Sequence, residues 1–144
     1  MFGNNISHCP ETAPADYGPN PFVVDIAAAV QANPFYRSAL WTGDYLQLTL
    51  MCIPSGGDIG LEMHADVDQL LCVTEGRGVV QYGDGTNQPL VRYSACAGSA
   101  VFIPAGTWHN LINCGCRALK LFSVYAPPNH PHGTVHPTKA DAGE

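Results

Sequence analysis

Residues 98–113, GSAVFIPAGTWHNLIN, constrain the fold of this chain more than any other stretch. Ala100 to Ile103 form a short apolar run of strand length, suited to a strand buried on both faces. Pro104 and Gly106 then impose a turn, because proline fixes its own φ and glycine reaches backbone angles that other residues resist. Leu111 and Ile112 open the next apolar run, so His109 stands at a rigid strand entrance rather than on a loose loop.

The same pattern recurs on both sides. Strand-like runs bounded by turn residues are predicted at 69–74, 78–82, 90–94, 100–103, 109–113 and 118–126, and residues 38–53 also read as strands. There Tyr45, Gln47 and Thr49 alternate with Leu46, Leu48 and Leu50, as in a sheet with two different faces. Gly83, Asp84 and Gly85 mark a hairpin. Residues 22–26 can form a strand, and Asp25 can cap one or two helical turns that Asn33 and Pro34 would stop. Many short strands with almost no helix predict an all-β sandwich or barrel, and periodicity alone does not choose between the two.

A length of 144 residues with 46% apolar composition suits one domain with a genuine core. Arg37, Arg77, Arg92, Arg117, Lys120 and Lys139 are scattered among twelve acids, which leaves no basic patch for nucleic acid or an anionic membrane. No apolar run approaches the ~20 residues that span a bilayer. Cys52, Cys72 and Cys96 lie in apolar strand text, and no secretory signal precedes the cysteines, so reduced thiols in the cytoplasm are expected. Cys114 and Cys116 flank Gly115 and read as a turn rather than half of a zinc site.

Gly98, Pro104, Gly106, His109 and Asn113 resemble the second motif of the cupin family at every fixed position. The first cupin motif places Gly, His, His, Glu and Gly in order, and here residues 57–78 supply its counterpart. Glu62 fills the first histidine position, His64 the second, and the glutamate position falls on Gln69 or its neighbour Asp68. The resemblance implies a jelly-roll β-barrel of two antiparallel sheets with a metal site in its interior. Glu62 and His64 are two residues apart, so on a strand they share a face that His109 can join. Two imidazoles and a carboxylate suit a divalent ion of manganese, iron, nickel or zinc, with Gln69 as a weak neutral fourth ligand. Asp68 would be a stronger ligand, but its one-residue offset points it to the other face. Without metal, Glu62 would pair with Arg77 or a histidine, and the barrel would simply bind a ligand.

Over residues 22–142 the chain also resembles the small single-domain cupins grouped with mannose-6-phosphate isomerases. That likeness implies a metal-dependent sugar-phosphate isomerase, in which the metal polarises a carbonyl and a nearby base moves a proton. Phosphate usually wants basic residues, which are few here. An oxygen-using cupin dioxygenase and a non-catalytic small-ligand binder remain the alternatives. The expected organisation is an arm at 1–20, a barrel at 21–126 and a His/Pro-rich tail at 127–144, with a small molecule as partner. A homodimer is also expected, its arm packed on the neighbouring copy. His130, His132 and His136 could reach over the barrel mouth, act as acid or base, or belong to a solvated tail. Tyr45, Gln47, Tyr82 and Tyr125 could be polar groups of the pocket, but the sequence does not fix their facing, and each reads first as ordinary strand packing.

Overall fold

The computed structural model describes residues 14–85 and 90–143, so most of the expected arm at 1–20 and part of the loop after Gly85 lie outside the described residues. Among the described residues one short α-helix, α1 (Ile26–Ala32), precedes nine strands, and a 3-10 turn at Lys139–Ala142 follows them. These are β1 (Arg37–Thr42), β2 (Gln47–Ile53), β3 (Asp68–Glu75), β4 (Arg77–Gly83), β5 (Val91–Cys96), β6 (Ala100–Ile103), β7 (Trp108–Asn113), β8 (Leu119–Ala126) and β9 (Val135–His136). They form two antiparallel sheets, ordered β6-β3-β8-β2-β1-β9 and β5-β4-β7, which make the jelly roll. No helix among the described residues is long and apolar enough to cross a membrane.

The interior is divided along the strands. Met51 and Ile53 on β2, Leu71 and Val73 on β3, and Leu119 and Leu121 on β8 join Val80, Ala95 and Leu111 in one apolar cluster. Toward the other end the same inward faces turn polar, with Gln47, Thr49, Gln69 and Ser123 all buried beside Tyr125. Register makes the change coincide: Tyr125 lies opposite both Gln47 and Gln69, whereas Leu121 lies opposite Met51 and Val73. A buried polar group must find a partner, so this half of the barrel is held by side-chain hydrogen bonds and not by apolar packing alone.

Two sequence expectations need correction. Residues 22–26 form no strand: the Asp25 carboxylate accepts the Ala28 N–H at 3.1 Å and starts α1, while Val23 is 97% exposed and has no face to bury. The run Ala100–Ile103 is a strand, but it is not buried on both faces. It forms the edge of the larger sheet, and Phe102 is 75% exposed. The alternation in β2 is real, yet its polar members Gln47 and Thr49 face inward, and Leu50 is buried on the outer face, over which α1 packs.

Gly76 joins β3 to β4 with φ of 101°, and a Cβ there would lie 2.8 Å from the Ala118 carbonyl oxygen. Gly76→Ala is therefore expected to cost at least the ~1–3 kcal/mol of a strained backbone. An unchanged urea midpoint would refute this expectation.

Candidate metal centre

Glu62 and His64 lie on an extended segment beside β7, not on a ladder strand. Glu62 and His109 exchange two backbone hydrogen bonds at 2.9 Å, and the Gly106 N–H donates to the His64 carbonyl at 2.8 Å. Asn110 staples the same segment, accepting the Gly60 N–H at 3.0 Å and donating to Asp58 at 3.0 Å. The turn at 104–106 is fixed from β3, where Asp68 accepts the Ala105 N–H at 2.8 Å. Asp68 thus works on the outside, and its neighbour Gln69 points in, as the period of two requires.

The side chains singled out by the motifs come together. One donor atom from each of Glu62, His64 and His109 lies within 4.8 Å of the other two. His64 Nε2 stands 3.6 Å from Glu62 Oε1, and His109 Nε2 stands 3.9 Å from Glu62 Oε2. Gln69 closes the group with Oε1 at 2.9 Å from His109 Nε2, and its Nε2 donates to Ser123 Oγ at 2.9 Å. Glu62 has its histidine partners here, whereas Arg77 lies beside the turn at Cys114. Glu62 and His64 are partly exposed and form the open side, while His109 is 1% exposed.

The donor set is consistent with a cation on chemical grounds. His109 Nδ1 sits 2.9 Å from the Thr107 carbonyl, which can only accept, so that nitrogen carries the proton and Nε2 keeps its lone pair. Burial holds the His109 pKa below the ordinary histidine range, and the Thr107 hydrogen bond opposes this only in part. A neutral imidazole lone pair therefore faces the Gln69 oxygen and the Glu62 carboxylate with no proton between them. His64 Nε2 is likewise buried and makes no hydrogen bond. Lone pairs aimed at one another repel, and a cation among them removes the conflict. Rotating the Gln69 amide by half a turn would instead donate N–H to His109, which is the arrangement open to the chain without a cation.

The tail is ordered against this site. Gln47 Oε1 accepts the N–H groups of Asn129 and His130 at 3.0 and 2.9 Å, and its Nε2 donates to the His130 carbonyl at 2.8 Å. The His130 ring meets Tyr125 edge-on at 5.2 Å, and Tyr125 meets His64 at 6.1 Å. His130 also lies 6.2 Å from His136, whose Nδ1 accepts from Arg37 at 3.2 Å. Burial, with help from the Arg37 charge, lowers the His130 pKa to about 4 and keeps it neutral. His132 remains outside, 2.9 Å from the Gly18 carbonyl and 3.4 Å from Asp16. Of the four residues read as ordinary packing, Tyr82 stacks on Tyr93 at 6.0 Å and Tyr45 is exposed, but Gln47 and Tyr125 line the polar half of the barrel. Gln47 carried a signal in its strand alternation; the inward choice of face did not.

Comparison with known proteins agrees with this architecture. A family model described as "Cupin domain" matches residues 49–125. The uncharacterized protein YrkC of Bacillus subtilis (strain 168) is 54% identical over 127 residues, covering 88% of this chain and 68% of that one. The uncharacterized protein L612 of Acanthamoeba polyphaga mimivirus is 32% identical over 123 residues, covering 85% and 75%. The crystal structure of BH2720 from Bacillus halodurans superposes with a TM-score of 0.88 at 55% identity, covering 90% of this chain and 98% of its own.

Proposed function

The chain belongs to the cupin family, and on that premise we propose that its barrel holds one divalent metal ion on Glu62, His64 and His109, with the Gln69 oxygen as a fourth donor. The supporting observation is the convergence of donor atoms: among the described residues His64 Nε2 is buried without a hydrogen bond, beside a His109 nitrogen that faces two acceptors. Manganese, iron, nickel and zinc all accept such a mixture of imidazole and oxygen ligands. A bound ion of this kind supplies Lewis acidity to a carbonyl or hydroxyl oxygen.

The reaction that best suits the site is the isomerisation of a small hydroxycarbonyl compound of the sugar or sugar-phosphate kind. Such a reaction needs a polarised oxygen and a proton carrier side by side, and the titratable rings of His64, Tyr125 and His130 follow one another along this side of the site. Among the described residues Arg37 is a fully buried basic side chain; it lies opposite Met51 on the inner face, donates to His136, and adds positive field to this side of the barrel.

Protein purified without chelator or added metal should carry about one ion per chain. The variant with His130, His132 and His136 all changed to alanine should keep it. A native protein without metal, or a tail variant that loses it, removes this assignment. A screen of hydroxycarbonyl compounds with and without oxygen then tests the chemistry. Turnover that stops in the absence of oxygen would replace the isomerase reading by an oxygen-using one.

A further inference from the structure

We propose that the C-terminal segment completes the site: the Tyr125 hydroxyl touches the ligand bound at the metal, and His130 positions that hydroxyl. The ligand class is a small chelating oxygen compound, and the inference rests on the metal reading above. Tyr125 is placed for this by register, since it lies opposite Gln69 on β3 and Gln47 on β2, at the level where the barrel interior turns polar. Its ring is the link between a metal-facing histidine and the tail, at 6.1 Å from His64 and 5.2 Å from His130. The hydroxyl lies 3.4 Å from His130 Nε2 and within reach of the Ser123 and Thr49 hydroxyls, so it sits in a polar setting where it can turn to an incoming oxygen.

His130 has been brought there by a dedicated clamp. Gln47 is fully buried; its Oε1 accepts the backbone N–H groups of Asn129 and His130, and its Nε2 donates to the His130 carbonyl and to Thr42 Oγ1 at 3.0 Å. Farther along, the tail is also stitched to the barrel edge, by Gly133 N–H to Asp16 at 2.9 Å, which Thr42 links to Gln47, by Ala39 N–H to the Thr134 carbonyl at 2.8 Å, and by the β9 ladder on β1. Those contacts suffice to hold the tail down. The Gln47 clamp does something they do not, because it fixes the two residues that bring an imidazole against Tyr125. Burial keeps that imidazole neutral, so it meets the hydroxyl as a hydrogen-bond partner rather than as a charge.

The test uses the full chain loaded with cobalt(II), whose visible spectrum reports its coordination, titrated with acetohydroxamate as a bidentate oxygen probe. Tyr125→Phe keeps the ring and removes the hydroxyl, so it should bind cobalt as the native chain does and bind the hydroxamate about tenfold more weakly, as expected for one lost hydrogen bond. His130→Ala should weaken the probe severalfold with cobalt affinity unchanged, and His130→Gln, which restores a hydrogen-bonding group, should recover part of the loss. His132→Ala loosens the same segment on its outer side and should leave both affinities alone. Native hydroxamate affinity in Tyr125→Phe overturns the ligand contact. Equal losses in His132→Ala and His130→Ala overturn the positioning role, since the tail's attachment alone would then be responsible. A native chain that takes up no cobalt overturns the metal reading and this inference with it.

Discussion

His109→Ala is expected to abolish tight metal binding, and with it any metal-dependent turnover, while the barrel stays folded. Loss of a direct ligand should weaken the metal by well over the ~10–100-fold typical of a residue that merely orients one. The fold is spared because His109 contributes to the polar half of the interior, and its backbone bridge to Glu62 does not depend on the imidazole. The apolar cluster is supplied by Leu111 and its neighbours, which this substitution leaves in place. Metal stoichiometry beside circular dichroism decides the matter. A folded His109→Ala chain that still carries one tightly bound ion ends the assignment.

Leu121→Ala should have the opposite outcome. Leu121 is fully buried in the apolar cluster, opposite Met51 and Val73, and its truncation leaves a cavity that rigid sheets on both sides cannot close. The expected cost is about 2–5 kcal/mol, or roughly 5–20 °C in the unfolding midpoint of a chain this size. Metal content of the folded fraction should not change, because none of the converging donors belongs to that cluster. A loss of metal from folded Leu121→Ala would mean that the two halves of the barrel are coupled and not merely adjacent.

Much of this architecture is legible in the residues themselves. Six predicted strands coincide with β3 to β8 to within a residue or so at each end, because proline and glycine punctuate the chain where the ladders stop. Parity separated Gln69 from Asp68, since a side chain one residue along a strand must face the other way. The alternation in β2 announced two faces, but it did not say which one is inside. A polar face is expected outside unless the barrel holds something polar, and here Gln47 and Thr49 are inside. Phe102 misled for a different reason: an apolar strand four residues long reads the same at a sheet edge as at its centre. The tail had no period to read. Its order comes from partners such as Gln47, which is 83 residues away from His130, and no local pattern encodes a contact of that range.

The two departures from the family's ligand pattern have a joint electrostatic meaning. A set of three histidines and one glutamate carries a single formal negative charge. Glu62 introduces a carboxylate where that pattern has imidazole, and Gln69 removes one where the pattern has carboxylate. The sum is again one negative charge, transferred from β3 to the segment beside β7, so a divalent ion on these four groups would retain a net charge of plus one. The two positions are therefore linked. Glu62→His alone makes the set neutral, and Gln69→Glu alone doubles its negative charge. Only the paired exchange restores the original sum, with the carboxylate on the opposite wall of the barrel.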